Sequence, residues 1–321
     1  MTDAPQRPVI LIVGPTAGGK SGLALALAQQ LPERGEIISA DSMQVYRGMD
    51  IGTAKPSLAE RQLVPHHLID VIEPEEPYSV DDWLSAALRL IDEIRKRKRR
   101  PIIVGGTNLY VKAFLEGLFD GPPPDEALRA QLAAQSTEQL HAEVSRIDPP
   151  SAERIHRNDR KRLTRALEVH RTTGTPLSAW QSQWSSAPPR GDVLLIGLVW
   201  PVEAINRRIN ARVRRMIDAG LAEEVRRLHT EGRLGMQARE ALGYKQLIAA
   251  IEGRAALDDA VEQIKVETRR FARKQRTWLK SFRRHRRSLW IERGENTAQD
   301  VVNQALAFIC ESTAAPDSPP P

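Results

Sequence analysis

The sequence predicts an α/β fold, a P-loop-containing parallel sheet core carrying a helical insertion domain. Three observations support this. Short apolar, β-branched runs alternate with helix-forming stretches over the first 120 residues, the pattern of a parallel, doubly wound sheet. The first run feeds into Gly14-Pro15-Thr16-Ala17-Gly18-Gly19-Lys20-Ser21, which fits the P-loop pattern G-x-x-x-x-G-K-[ST] in full. A further apolar run at residues 193–200 follows a long helical stretch bounded by two Pro-rich joints, so a sheet begun before that stretch resumes after it.

In chain order, residues 8–13 (PVILIV) read as a buried strand and residues 22–30 (GLALALAQQ) as a strong helix. Strand, glycine loop and helix N-terminus make an anion cradle of backbone N–H groups and helix dipole. Lys20 adds a mobile charge, and the Ser21 hydroxyl can ligand Mg²⁺. The loop therefore predicts a bound di- or triphosphate. Residues 36–40 (EIISA) read as a second strand. Residues 79–98 read as a helix, with Ser79 as N-cap and Asp81 and Asp82 in its first turn. Its basic end, Arg95 to Arg100, reads as a solvated C-terminus rather than a targeting tract. Residues 101–104 (PIIV) read as a third strand, entering Gly105-Gly106-Thr107.

Gly121-Pro122-Pro123-Pro124 breaks the pattern, and residues 125–184 read as helices throughout. From Val202 onward the chain again reads mainly as helices. These signals divide the chain into a core (1–121 and 191–311), a helical insertion (122–190) and a small, polar, Pro-rich tail (312–321) expected to be disordered. No apolar stretch approaches the roughly 18–20 residues that span a bilayer. The first eight residues lack the features of a secretory signal. The single cysteine, Cys310, excludes an internal disulfide framework and a cysteine zinc site. A cytoplasmic, membrane-free, monomeric protein is expected.

Each further motif sits at a strand end. Asp41-Ser42-Met43-Gln44-Val45-Tyr46 follows the second strand, at the open crevice where parallel sheets bind ligands. Asp41 there suits a general base or metal partner, or equally an Asx-turn. Gly105-Gly106-Thr107 brings a hydroxyl to the same rim, so three strands deliver Lys20, Asp41 and Thr107 to one place. His66 and His67 are adjacent and have no third ligand at metal spacing, which argues against a metal site.

Net charge is +6, and the location of the cations says more than their number. The insertion carries Arg154, Arg157, Arg160, Lys161, Arg162, Arg165 and Arg171. Arg157, Lys161 and Arg165 are four apart, as on one helix face. Arg207, Arg208, Arg212, Arg214 and Arg215 form a second segment. A third runs from Arg269 to Arg287 with Trp278 and Phe282 interleaved. Cations mixed with aromatics suit a phosphate backbone and unstacked bases, so three such segments predict a nucleic-acid partner.

Taken in order, the motifs above resemble those of the tRNA dimethylallyltransferase (tRNA isopentenyltransferase) family of bacterial type. The likeness extends to Ile51-Gly52-Thr53-Ala54-Lys55-Pro56, His66-His67-Leu68-Ile69-Asp70, residues 158–169, Ala241-Leu242-Gly243-Tyr244-Lys245 and Phe271-Ala272-Arg273-Lys274-Gln275-Arg276-Thr277-Trp278. It reaches from about residue 8 to about residue 280. The resemblance implies transfer of the dimethylallyl group from dimethylallyl diphosphate to the exocyclic amine of the tRNA adenosine immediately 3′ of the anticodon, with Mg²⁺ assisting. It implies Asp41 as general base and Thr107 beside the reacting groups. It implies residues Gly14 to Ser21 and Arg212 on the diphosphate. It also implies tRNA contacts at Asp41, Ser42, Met43, Gln44, Thr107, Arg129, Lys161, Arg162, Leu163, Thr164, Arg165, Arg239, Glu240, Ala241, Leu242, Gly243, Tyr244 and Lys245. Gly18 stands where the family usually has Ser, and Arg214 where it often has an acid. Three other readings compete. A P-loop nucleoside kinase or a free-nucleotide isopentenyltransferase acting on AMP or ATP would leave the Arg-rich segments unexplained. A non-enzymatic RNA-binding module would leave the P-loop and Asp41 unexplained.

Overall fold

A computed structural model describes residues 7–118, 121–185, 190–294 and 296–314. The chain divides into two compact units, Met1–Val111 with Gly191–Pro321, and Lys112–Arg190. The first unit holds one six-stranded sheet, β1 (Val9–Val13), β2 (Gly35–Ala40), β3 (His66–His67), β4 (Arg100–Gly105), β5 (Val193–Val199) and β6 (Ser288–Glu292). The order is β3-β2-β4-β1-β5-β6, and every pairing is parallel. All five residues of β1 are buried, as expected where helices cover both faces of a parallel sheet. β4 and β5 flank it, in register Ile10↔Ile102 and Ile10↔Leu194.

The helices of this unit are α1 (Lys20–Gln30), α2 (Leu58–Leu63), α3 (Val80–Lys96) and α4 (Asn108–Glu116), which runs across the unit boundary. The insertion follows with α5 (Glu126–Ala133), α6 (Thr137–Ile147), α7 (Pro149–Arg154), α8 (Arg160–Thr173) and α9 (Leu177–Ser185). The core resumes with α10 (Val202–Asp218), α11 (Leu221–Thr230), α12 (Tyr244–Ile251), α13 (Leu257–Phe282) and α14 (Ala298–Ala314). Leu23 and Leu27 of α1 pack with Ile10, Ile102 and Ile196 of the sheet and Val301, Ala305 and Ile309 of α14. A second cluster joins α10 to α13 around Ile209, Val225, Tyr244 and Ile264. Ser79 caps α3 through a reciprocal capping box with Asp82. Trp83 then fixes α3 to the C-terminal end of β2, its Nε1 donating to the Ser39 carbonyl at 2.8 Å while its ring stacks on Tyr110.

The insertion has its own small core of Leu132, Leu140, Val144, Leu163, Ala166 and Leu167. Its ends meet within the unit. The Arg190 amide donates to the Leu115 carbonyl at 3.0 Å, and the Arg190 guanidinium lies 4.8 Å from the Phe114 ring centre. That closure moves the boundary to Lys112, ten residues before the Pro122 expected from composition.

Other departures from expectation have local causes. β6 was not expected after Val202. It is an edge strand of five residues directly after an Arg-rich tract, and only Ile291 in it is fully buried. The His pair forms a two-residue edge strand, β3, where no strand was expected. Residues 312–314 continue α14, whose apolar stripe packs on α1, and the rest of the expected tail, 315–321, lies outside the described residues. α8 starts at Arg160 with Asp159 as its N-cap, so Arg157 precedes the helix and does not share a face with Lys161 and Arg165.

Candidate active site

The P-loop links β1 to α1, and its shape is enforced from outside. Gly19 is the N-cap of α1 at φ 89°, a left-handed conformation that glycine adopts without strain. Ala17 is also left-handed, at φ 58°, where a Cβ is unfavourable. The loop is held there by α10 and the chain just before it. Arg208 Nε donates to the Ala17 carbonyl at 2.8 Å, and Trp200 Nε1 donates to the Gly18 carbonyl at 3.0 Å. Arg208 and Arg293 in turn lie 4.6 and 5.2 Å from the Trp200 ring. Lys20 Nζ donates to the Gly14 and Pro15 carbonyls at 3.0 and 2.9 Å. Burial pushes its ammonium down to about 8, with Arg212 adding repulsion and Asp41 opposing both. Arg212 is lowered as well, chiefly by burial, with Asp41 opposing. The two cations face one carboxylate, so an anion bound here would relieve both.

Asp41 follows β2. Its Oδ1 accepts from the Met43 amide at 2.9 Å, an Asx-type turn that leaves Oδ2 without a hydrogen-bond partner among the described residues. Thr107 follows β4, and its Oγ1 accepts from the Ser42 amide at 3.0 Å and donates to Ser42 Oγ at 3.3 Å. The strand ends touch here. A Cβ on Gly105 would lie 2.0 Å from the Ala40 carbonyl oxygen, so only glycine fits. Thr16, Lys20, Ser21, Asp41, Thr107 and Arg212 all line a single cavity of about 340 Å³. Its other walls are largely apolar, with Ile209, Val213, Met216, Leu221 and Phe271 among them. One end of the cavity thus suits a phosphate chain, and the rest suits a small hydrocarbon and a planar base.

The wall formed by residues 50–54 depends on Glu224, which no sequence signal marked. Its carboxylate accepts from the amides of Asp50, Ile51 and Gly52 at 2.9, 2.8 and 3.1 Å and from the Tyr244 hydroxyl at 2.5 Å. Lys55, almost fully buried, adds ion pairs to Asp50 and Asp70. Gln275 of α13 was visible only as part of a motif. It is 1% exposed, and its Oε1 accepts from the Thr16 amide at 2.8 Å while its Nε2 donates to the Gly106 carbonyl at 2.9 Å.

Several residues expected to contact RNA have partners within the protein. Tyr244 is fully buried against Glu224, and Leu163 is fully buried in the insertion core, so neither side chain reaches solvent. Gln44 is held at both ends, accepting from Ser39 Oγ at 2.8 Å and donating to the Thr53 and Ala54 carbonyls at 3.2 and 3.3 Å. Arg129 and Arg165 serve Glu168, whose carboxylate is fully buried and accepts from both guanidinia and from the Asp125 amide. Phe282 belongs to the core rather than to a stacking surface. Arg157, Lys161, Arg162, Arg239 and Lys245 are exposed, and Thr164 is partly so. Ser42, Met43, Glu240, Ala241, Leu242 and Gly243 line the cavity. No group of three or more His, Cys, Asp or Glu able to hold a metal occurs among the described residues. No described helix is long and apolar enough to cross a membrane.

A phosphate cradle facing a carboxylate across an apolar cavity defines a P-loop α/β protein built for group transfer from a phosphate ester. Comparison with known proteins narrows this. The IPP transferase family profile matches residues 44–282. A tRNA dimethylallyltransferase of Geobacillus kaustophilus is 49% identical over 278 residues, covering 85% of this chain and 87% of the relative. A solved tRNA isopentenylpyrophosphate transferase of Staphylococcus epidermidis aligns with TM-score 0.69 at 35% identity, over 94% of this chain and 99% of its own. A eukaryotic dimethylallyltransferase, captured in crystallographic snapshots acting on tRNA, aligns with TM-score 0.80 at 25% identity, over 95% of this chain and 80% of its own. The chain belongs to the IPP transferase family.

Proposed function

We propose that this protein is a tRNA dimethylallyltransferase. It transfers the five-carbon group of dimethylallyl diphosphate to the exocyclic amine of the adenosine immediately 3′ of the anticodon. The observation that carries this reading is the convergence of Lys20, Arg212, Asp41 and Thr107 on one largely apolar cavity in a chain of this family.

The P-loop amides, Lys20 and Arg212 hold the diphosphate, the part of the donor that gains charge as it leaves. The apolar walls take the hydrocarbon. The adenine amine attacks the carbon bonded to the diphosphate oxygen, a C–N bond forms, the C–O bond breaks, and Asp41 Oδ2 takes the amine proton. An aromatic amine is a weak nucleophile, so a positioned carboxylate contributes on the order of 10²–10⁴-fold. Thr107, tied to Ser42, keeps the loop carrying Asp41 in place. The base leaves the anticodon-loop stack to reach the cavity, as base-modifying enzymes require. Exposed cations at Arg157, Lys161, Arg162, Arg239 and Lys245 supply phosphate contacts.

The donor set fits Mg²⁺. The Ser21 hydroxyl is a hard oxygen ligand lining the cavity, and in a P-loop it would hold Mg²⁺ together with the substrate phosphates. When bound it supplies charge neutralisation to the leaving diphosphate. Acting on tRNA, the protein works in the cytoplasm.

Asp41→Asn tests the base assignment. Transfer to an unmodified anticodon stem-loop should fall at least 100-fold with stem-loop affinity within about twofold of the parent. Near-normal turnover would remove Asp41 as the base.

A further inference from the structure

Gln275 is the only described side chain for which hydrogen bonds are seen both to the P-loop and to the Gly105–Thr107 loop. Its two bonds use both ends of one rigid amide. The acceptor end takes the Thr16 N–H, in the loop that cradles the diphosphate. The donor end reaches the Gly106 carbonyl, next to Thr107, which in turn holds Ser42 beside Asp41. The connection therefore passes through Thr16, Gln275, Gly106, Thr107, Ser42 and Asp41. It runs from the leaving-group site to the base without a break.

Three features make this more than simple packing. Gln275 lies in a stretch otherwise dense with cations, the exposed Arg273 and Lys274 and the half-buried Arg276 being its near neighbours, yet it is uncharged and 1% exposed. The fit is close, since a Cβ on Gly106 would lie 2.7 Å from Gln275 Nε2. Gln275 also faces the cavity one turn along α13 from Phe271, so its helix forms a wall of the same site.

We infer that Gln275 is a positioning residue that fixes the distance between the diphosphate cradle and the loop carrying the general base. This deepens the function proposed above and rests on it. In-line transfer needs the amine, the reacting carbon and the leaving oxygen held together, and a misplacement of about 1 Å costs on the order of 10²-fold in rate. The Gln275 amide supplies a donor and an acceptor a fixed distance apart. A carboxylate keeps the acceptor, loses the donor and adds a negative charge beside the diphosphate. A neutral carboxylic acid restores the donor.

Gln275→Glu and Gln275→Met are compared with the parent, using dimethylallyl diphosphate and an unmodified anticodon stem-loop, with inorganic diphosphate binding measured separately by calorimetry. For Gln275→Met, which keeps the volume and removes both bonds, kcat should fall about 30- to 100-fold while KM for dimethylallyl diphosphate and the affinity for inorganic diphosphate change less than about threefold. For Gln275→Glu, kcat relative to the parent at the same pH should recover as pH falls and the introduced acid becomes protonated. A structural role alone would give no such recovery. Parental kcat in Gln275→Met, or no relative recovery of Gln275→Glu at low pH, overturns the inference. If Gln275→Met does not fold, the pH profile of Gln275→Glu decides alone. Absence of transfer by the parent protein refutes the function and with it this role. Transfer by the parent with parental kcat in Gln275→Met refutes only the positioning role.

Discussion

Lys20 couples the cradle to protons, and the coupling can be measured. Burial lowers its ammonium from 10.5 to about 8, helped by Arg212 and opposed by Asp41. At about 1.4 kcal/mol per pH unit that drop corresponds to ~3 kcal/mol, trimmed to ~1–3 kcal/mol because the side chain is partly exposed. The unfolded lysine keeps its ordinary value, so the cost of the charged form is fully present below pH 8 and is relieved as pH rises from 8 to 10.5. Lys20→Met should therefore stabilise the ligand-free protein at pH 7. Diphosphate reverses the sign, because a bound anion restores the lysine to its charged form. Binding should then take up a substantial fraction of a proton at pH 8.5 and little at pH 7. The assay is calorimetry of dimethylallyl diphosphate without tRNA, in buffers of different ionisation enthalpy. Lys20→Met is the control that subtracts any titration of the ligand itself. Its affinity should be weaker by about 2–3 kcal/mol, roughly 30- to 150-fold. Equal proton uptake in parent and variant, or none in the parent at pH 8.5, would refute the reasoning.

Three further outcomes follow from the same structure. Tyr244→Phe removes one of the four donors to Glu224 and should cost about 1–3 kcal/mol in urea unfolding, and an unchanged midpoint would mean the hydroxyl contributes nothing. Glu168→Ala removes the buried carboxylate that Arg129 and Arg165 share and should cost ~2–4 kcal/mol. Burial pushes the Glu168 acid up, but its bonds from Arg165, the Asp125 amide and Arg129 outweigh this and hold it below the usual value. Its contribution is therefore complete above the ordinary glutamate range and lost as pH falls through the lower folded value, so the parent–variant gap should narrow in acid. Neutralising Arg157, Lys161 and Arg162 together should weaken tRNA binding and reduce the salt slope by about 0.7 for each RNA phosphate that is no longer neutralised, and an unaltered slope would take that surface out of the footprint.

How much of this could be read from the sequence depends on how local the determinants are. β1, β2, β4 and β5 were legible because strands buried on both faces become short, mostly apolar runs rich in Ile, Val and Leu. The P-loop was legible because its mechanism needs particular residues at consecutive positions. Asp41 and Thr107 were legible because strand ends in a parallel sheet converge. β6 was not, since an edge strand with only Ile291 fully buried carries little apolar signal. Charge counts in the insertion could not show that Arg165, like Arg129, pairs with the buried Glu168. Arg160 likewise spends its guanidinium on the Leu132, Ala133 and Gln135 carbonyls. Glu224 and Gln275 act on partners more than 160 residues away, and no spacing rule reaches that far.

The central claim is that the cradle and base serve prenyl transfer to tRNA. The most direct measurement mixes the protein with Mg²⁺, labelled dimethylallyl diphosphate, and either an unmodified anticodon stem-loop or free AMP, with a parallel labelled-ATP reaction on nucleosides. The account predicts label in the stem-loop alone, on the adenosine 3′ of the anticodon. Label in AMP alone, or phosphoryl transfer from ATP without any prenyl transfer, would contradict it.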